Sequence, residues 1–180
     1  MMGKRKVSIF SVLMFIIALS GLGLGAFSLY NYQQLVIQLE QPKPLARAFL
    51  NTSYSTTNGL WFKVDFGVVE YDVSGDFNIS TDRFICPTSG YYLVSGIITF
   101  STTQDGEIIH LAAFREGVRE AGSITHAAHA KIISVGFTDI VYLTAGDYVE
   151  LQTYHSGSGS DTIYGSTAGT YTYFTIAFLN

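Results

Sequence analysis

The sequence is poor in charge, cysteine and proline. Charged residues make up 13% of its 180 residues, against about 25% in an average soluble protein. Aromatic residues reach 14%, and this combination excludes an intrinsically disordered chain, which needs high charge and few aromatic residues. The single cysteine, Cys86, excludes a disulfide scaffold. The net charge of −4 argues against a nucleic-acid partner, because such binding needs a basic surface.

The length of the chain allows one domain of ordinary size and one additional segment. The 18 glycines do not recur at every third position. A collagen-like chain is therefore excluded, because the triple helix accepts only glycine at each third residue.

Charged residues are absent from one long stretch near the N-terminus. Three consecutive basic residues, 4–6, precede this stretch, and the next charged residue is Glu40. Residues 7–30 are almost wholly apolar, and at about 1.5 Å per helical residue they are long enough to cross a hydrocarbon core of about 30 Å. The pattern predicts a cytoplasmic basic tail over 1–6 and a transmembrane signal anchor over 7–30. The C-terminal domain is then displayed outside the cell membrane, in a single-pass arrangement.

Two other interpretations of the apolar segment stay open. The small residues Gly23 and Gly25 have the spacing of a cleavage site before Ala26, in which case the protein is secreted. A pilin-like leader would instead pack its apolar helix in the core of a filament. All three interpretations export the remainder of the chain. Pro42 and Pro44 are predicted to end a short helical stalk and linker over 31–45.

The exported remainder, residues 46–180, lacks a helical period of useful length. Short β-branched and aromatic runs alternate there with Gly, Ser, Asn and Asp clusters, as in a sandwich or jelly roll. In the last run Phe174, Ile176 and Phe178 alternate with side chains that are also largely apolar, so we expect both faces of that strand to be covered. Strands are predicted near 46–50, 61–70, 75–79, 91–101, 107–115, 118–124, 132–143, 147–155 and 171–179.

An ordered set of motifs in this region resembles the globular head of complement component 1q. Tyr71-Asp72, Phe77 and the run TDRFICPTSGYY over 81–92 are similar to the central signature of that family. The signature is an aromatic-Asn/Asp pair, a Phe, then Phe-x-x-Pro and Gly-x-Tyr. Further similar motifs follow in the expected order, and the resemblance covers about 46–180; these motifs lie at 114–117, 141–151 and 173–179.

The resemblance implies an all-β fold, a ten-stranded jelly-roll sandwich similar to tumour-necrosis-factor ligands, here preceded by the predicted transmembrane helix. That family usually forms trimers, so the resemblance implies a homotrimer that buries one strand face around a three-fold axis. Tyr171, Tyr173 and either Tyr91 or Tyr92 are the expected interface residues, unless these rings lie in the core of one subunit. The chain departs from the family in lacking a collagen stalk and in having Ala177 where Gly is frequent.

Histidines are the first candidates for chemistry. His126 and His129 would supply two ligands, whereas a zinc site needs three or four, so surface histidines are the favoured interpretation. His110 alternates with apolar residues and is predicted to be packed. His155 ends a strand before the Ser/Gly-rich residues 156–161, which are predicted to form a flexible loop. No G-x-S-x-G motif accompanies them, and we predict that the protein is not an enzyme.

The remaining candidates are acidic, glycosylation and thiol sites. Some related heads bind calcium through acidic loop residues, but no EF-hand-like spacing occurs here, and solvated loop carboxylates without a cofactor are the favoured interpretation. Asn51 and Asn78 begin glycosylation sequons. Cys86 is predicted to be a buried, inert thiol, the alternative being a bond to another chain. The calcium candidates, chosen by residue type, are Asp72, Asp76, Asp105, Glu107, Asp139 and Asp161.

These features together predict a membrane-anchored trimer that displays a jelly-roll head outside the cell. Its expected partner is an unidentified extracellular protein or glycan, bound through the loops at 101–106, 125–131 and 156–170. Three-fold display strengthens weak individual sites by raising their effective concentration. The alternative function is a subunit of an extracellular filament or surface coat. A secreted hydrolase is a third hypothesis, which no catalytic pattern favours.

Overall fold

The chain divides into two compact units, Met1–Gln41 and Pro42–Asn180. Within the first unit, residues 23–34 are helical. Among the residues that the structure describes, no helix has both the length and the hydropathy needed to cross a membrane. The computed structural model describes residues 20–21, 23–34, 42–101, 103–128 and 132–179.

The predicted N-terminal segments are only partly covered by this description. Residues 1–6 of the predicted tail and residues 7–19 of the predicted anchor lie outside the described residues. The same is true of residues 35–41 in the predicted stalk, and β1 already begins at Leu45.

Thirteen strands occur in the described part of the second unit. All of their pairings are antiparallel, as the hairpin-rich sequence pattern leads one to expect. The strands are β1 (Leu45–Phe49), β2 (Tyr54–Thr57), β3 (Phe62–Lys63), β4 (Val68–Asp72), β5 (Phe77–Asn78), β6 (Arg83–Ile85), β7 (Gly90–Phe100), β8 (Ile108–Arg115), β9 (Val118–His126), β10 (Ile133–Leu143), β11 (Tyr148–His155), β12 (Ser160–Ile163) and β13 (Tyr173–Phe178).

The strands form two sheets that pack as a sandwich. In the first sheet β7 is central: β10 pairs with it along its length on one side, and β13 and the end of β12 pair on the other. Strands β1 and β4 continue this sheet beyond β13, and β2 continues it beyond β12. The second sheet has the order β5-β6-β11-β8-β9, with β3 also pairing β11. This all-β sandwich agrees with the predicted jelly roll, although it has thirteen strands rather than ten.

The core lies between the two sheets and follows the period of two in the strands. On β13, Phe174 and Ile176 are buried, as the sequence pattern predicted. On β7, Tyr92 and Val94 point the same way, and Leu151 of β11 faces them from the second sheet within the same buried cluster. Burial of these side chains is the main term that stabilises the sandwich, at roughly 25 cal/mol per Å² of apolar surface.

Three strands were missed by the sequence interpretation. β2, β6 and β12 are short and carry polar residues, so they lack the long apolar alternation that identifies a half-buried strand. The predicted strand over 61–70 is also divided into β3 and β4. The prediction of a flexible loop over 156–161 is wrong for its last two residues, because β12 begins at Ser160 and pairs with β2.

Candidate functional site

The outer face of the first sheet carries a row of apolar side chains. Register places Tyr142 opposite Tyr91 and Ile140 opposite Leu93 on adjacent strands. The rings of Tyr91 and Tyr142 meet edge to face with centroids 5.3 Å apart. Tyr91, Tyr142 and Ile140 are 55%, 51% and 57% exposed and lie next to one another, so they form an exposed apolar group. The term outer face is used below for the side chains Tyr91, Leu93, Ile97, Ile140, Tyr142, Tyr173 and Ala177.

Of the alternatives Tyr91 and Tyr92, the structure removes Tyr92 from the candidate interface residues. Tyr92 is completely buried in the core, where its hydroxyl donates to the carbonyl oxygen of Thr88 at 2.7 Å. Its neighbour Tyr91 points the opposite way, because side chains alternate along a strand. Tyr173 is half-buried on the outer face, and Tyr171 is exposed next to β13. For Tyr91, Tyr171 and Tyr173, a place in a trimer interface stays a prediction.

Arg47 borders the outer face and holds its aromatic edge. Its guanidinium group lies 4.6 Å from the ring centroid of Tyr173, and it forms an ion pair with Glu70. It also donates to the carbonyl oxygen of Gly169 at 2.5 Å. These contacts join β1, β4, β13 and the loop before β13 at one edge of the face.

Two of the three predicted ligand-binding loops are joined at one end of the sandwich. The side-chain nitrogen Nε2 of Gln104 donates to the carbonyl oxygen of Ser158 at 2.6 Å. The Ser158 hydroxyl donates to Gln104 Oε1 at 2.9 Å. The third loop is attached through Ala127, whose carbonyl oxygen accepts from the backbone of Gly106 at 2.8 Å. Residues 129–131 of that third loop, including His129, lie outside the described residues. This region is called the loop end below.

Beneath the loop end lies a buried cluster that the sequence analysis missed. His155 Nδ1 is 3.0 Å from Glu107 Oε1 and 3.2 Å from Asp161 Oδ2. Glu107 and Asp161 were predicted to be solvated loop carboxylates, but both are buried. The signal was present in β11, where Val149, Leu151, Thr153 and His155 share the inward phase of the strand.

The two carboxyl groups of this cluster titrate in opposite directions. Burial, followed by the hydrogen bond and charge of Glu107, raises the pKa of Asp161 to about 7. Burial alone would also raise the pKa of Glu107. Hydrogen bonds from Asp161 and from the backbone of Gln104 outweigh it, so this pKa is lowered. The cluster therefore moves the pKa values of its two carboxyl groups apart.

The other acidic candidates are structural or exposed. Asp72 caps a turn, since its carboxylate accepts from the backbone of Gly75, Asp76 and Phe77 at 2.8–3.0 Å. Asp76 accepts from the hydroxyl of Ser74 in the same turn. Asp105 and Asp139 are exposed, as predicted. Among the described residues, these four carboxylates do not belong to any group of three possible metal ligands.

Trp61 organises an aromatic group on the second sheet that sequence reasoning also missed. Its ring lies 5.5 Å from His110, 5.3 Å from Phe114 and 5.9 Å from Tyr154 between centroids. His110 is thus packed, as predicted, and burial lowers its pKa. Arg119 lies over the Trp61 ring at 5.9 Å. His126 is exposed at the end of β9.

The two sequon asparagines and the single cysteine differ in exposure. Asn78 is exposed, and its side-chain oxygen accepts from the backbone of Ser80 at 3.0 Å. Asn51 is half-buried next to Gly67. Glycosylation at Asn51 and Asn78 stays a prediction. Cys86 is buried, as predicted, and burial raises the pKa of its thiol, which lowers its reactivity.

The family follows from residues that span nearly the whole sandwich. The model of the C1q domain matches residues 48–179. The chain belongs to the C1q domain family. C1q/TNF-like domains are typically trimeric extracellular recognition modules and are generally not enzymes. A search of curated proteins finds no match to this sequence.

Solved structures share the fold at low sequence identity. Eiger TNF from S. frugiperda is 16% identical with a TM-score of 0.60, covering 78% of this chain and 94% of its own. The globular domain of zebrafish complement 1qA is 16% identical with a TM-score of 0.55, covering 77% and 98%. Murine APRIL at pH 8.5 is 13% identical with a TM-score of 0.56, covering 77% and 100%. These similarities confirm the jelly-roll fold of C1q and TNF-like proteins.

Proposed function

We propose that this protein is a membrane-anchored extracellular recognition module. It trimerises through the outer face of the first sheet and binds a surface protein or glycan through the loop end. The observation that carries the proposal is the outer face itself. Tyr91, Ile140 and Tyr142 are each more than half exposed in the single chain, and such a contiguous apolar row marks an interaction surface.

The charge distribution favours identical copies as the occupants of that face. Asp139 is the one charged residue in β7, β10 and β13, the strands that form most of the face. Burying these strands therefore removes few charges from water, and aromatic side chains supply large contact areas. A closed ring of copies covers the face in every subunit, as cyclic symmetry requires. The trimeric habit of C1q/TNF-like domains supports three copies.

The loop end supports recognition because its backbone is held while its tips are exposed. Hydrogen bonds tie Gln104 to Ser158, and Asp105 stands exposed at the tip of one loop. Loops held in this way on a rigid sandwich are typical binding positions. Residues 7–30 supply the proposed anchor, on the basis of their apolar composition and the basic residues before them.

The proposal is tested on the full chain purified in detergent micelles. Light scattering, corrected for bound detergent, is expected to give the mass of three chains. Ile140→Glu places a charge on the outer face and is expected to give single chains. Ile124→Glu is the matched control, because Ile124 is 53% exposed on β9 of the other sheet, and it is expected to stay trimeric.

The same preparations then report recognition on arrays of glycans and of extracellular proteins. Linked sites raise apparent affinity by about 10²–10⁴-fold, so any signal of the wild type is expected to fall strongly for Ile140→Glu and to persist for Ile124→Glu. Asp105→Lys is expected to weaken binding without changing the mass. Single chains in the wild type would refute the trimer, and open-ended assemblies would favour the filament alternative. Binding that survives Asp105→Lys and other loop changes would refute the loop end.

A further inference from the structure

Three side-chain atoms of the buried cluster, one from each residue, lie within 4.8 Å of one another. Nδ1 of His155 lies 3.0 Å from Oε1 of Glu107 and 3.2 Å from Oδ2 of Asp161. The side chains of His155 and Glu107 are 0% exposed, and that of Asp161 is 7% exposed. Lone pairs that meet in an apolar interior repel each other unless a proton or a metal ion lies between them.

Thr56 determines which nitrogen of His155 carries a proton. The Thr56 hydroxyl donates to the carbonyl oxygen of Asp161 at 3.2 Å. Thr56 Oγ1 also lies 3.0 Å from His155 Nε2. Since the hydroxyl has one proton, its oxygen accepts from Nε2–H. A neutral His155 ring therefore presents a lone pair on Nδ1 to both carboxylates.

Asp161 Oδ2 is a buried polar atom without a hydrogen-bond partner among the described residues. Buried polar atoms are nearly always paired, and an ionised carboxylate without a donor is among the most costly exceptions. This unpaired oxygen lies within 4.8 Å of both Nδ1 and Oε1.

Backbone hydrogen bonds hold the Glu107 carboxylate beside His155 and Asp161. Oε2 accepts from the backbone of Gln104 at 2.9 Å, and Oε1 accepts from the backbone of Gly157 at 3.2 Å. A Cβ at residue 157 would lie 2.6 Å from Oε1, so this close approach requires glycine. The rings of Phe62 and Phe100 lie 6.1 and 5.5 Å from the His155 ring and keep the cluster apolar.

We propose that Glu107, His155 and Asp161 bind a divalent transition-metal ion of the Zn²⁺ type through Oε1, Nδ1 and Oδ2. Tetrahedral coordination at about 2.0–2.1 Å places ligand atoms about 3.4 Å apart, so the observed 3.0 and 3.2 Å need only a small expansion. The divalent charge neutralises both carboxylates, and Thr56 supplies the hydrogen bond that a metal-bound histidine normally makes with its other nitrogen.

The ligand set selects against the calcium considered for related heads. Ca²⁺ takes six to eight oxygen ligands, whereas imidazole nitrogen suits zinc and its neighbours. The ion would link β11, β12 and the loop before β8, which together support the loop end. The metal site is independent of the trimer, so each can fail without the other.

The test uses the full chain in detergent micelles, stripped with a chelator, exchanged into metal-free buffer and titrated with ZnCl₂. Elemental analysis after washing is expected to find one zinc per chain, and added Zn²⁺ is expected to raise the Tm. Co²⁺ is expected to give the visible absorption of a tetrahedral N/O site. Asp161→Asn keeps the side-chain volume and is expected to lose at least tenfold in zinc affinity.

Two matched controls separate this site from surface binding. His126→Asn removes an exposed histidine, and Asp139→Asn removes an exposed carboxylate; both are expected to bind zinc as the wild type does. Equal loss in His126→Asn would place the ion on the surface and overturn the proposal.

The alternative to the metal is a pair of protons, one on Nδ1 and one shared by the carboxyl groups. In that case the wild type retains no zinc, shows no Co²⁺ absorption and has the same Tm with and without Zn²⁺, which would overturn the proposal. If Asp161→Asn does not fold, the Co²⁺ spectrum and the zinc content of the wild-type chain decide.

Discussion

At the scale of single residues, the family motifs build the sandwich. Asp72 caps a turn with three backbone hydrogen bonds, while Phe77, Phe84 and Tyr92 are buried in the core. The motif residues therefore identify the fold and leave the ligand open. The residues with unsatisfied or unusual chemistry, such as Asp161, lie outside the motifs.

At the residue scale, the ion pair between the partly exposed Arg83 and the buried Glu150 gives a direct stability prediction. Glu150 is buried, and Arg83 Nε donates to its Oε2 at 2.8 Å. Arg83→Met leaves that oxygen without its donor, while Gln152 still donates to Oε1 at 2.6 Å. We expect the free energy of unfolding to fall by about 1–3 kcal/mol in chemical denaturation.

The matched control for this change is Arg119→Met. Arg119 is an exposed arginine on β9 that lies over Trp61. It is expected to change the free energy of unfolding by less than about 0.5 kcal/mol. Equal effects of the two substitutions would contradict a specific role for the Arg83–Glu150 pair.

At the scale of elements, the β8–β9 hairpin shows local sequence deciding local structure. Glu116 and Gly117 form its two-residue loop, with φ angles of 50° and 79°. A two-residue hairpin with both residues at positive φ is a type I′ turn, which matches the right-handed twist of its strands. Both residues belong to the motif at 114–117, which resembles the family. Glu116 tolerates the conformation, and its carboxylate accepts from the backbone of Tyr148 at 2.7 Å.

Gly117→Val tests this turn. A β-branched residue in the left-handed region is strained, and we expect a loss of about 1–2 kcal/mol in the free energy of unfolding. Val118→Thr, at the next position with an exposed side chain, is expected to have little effect. An unchanged unfolding midpoint for Gly117→Val would show that the hairpin accepts another turn.

Short strands are the elements for which local sequence was insufficient. β12 contains Ser160 and Asp161 and follows a Ser/Gly-rich run, so its composition is that of a loop. It is a strand because β2 and the end of β7 pair with it. β2 lies about 100 positions before β12, and pairing over such a distance is a tertiary interaction, which no local pattern reports.

At the scale of the whole molecule, burial of the outer face between copies of the chain makes thermal stability depend on protein concentration. Association stabilises the folded state by mass action, because the unfolded chain does not bind. We therefore expect the Tm of the wild type in micelles to rise with protein concentration in differential scanning calorimetry. Ile140→Glu is expected to remove this dependence and Ile124→Glu to retain it. If the wild-type Tm did not change over the concentration range in which the trimer dissociates, the proposed assembly would be contradicted.

The sequence by itself determined the all-β class, the family, most long strands and the inward face of β13, because these depend on alternation and on short motifs. Only the tertiary structure decided that Tyr92 is buried while Tyr91 is exposed, since the sequence did not say which phase of β7 faces the second sheet. It also decided the meeting of Glu107, His155 and Asp161, whose neighbours in the chain look like ordinary loops and strand ends. The reason is physical: a period of two shows that a strand has two faces, but sheet packing decides which face meets water and which distant charges share one interior.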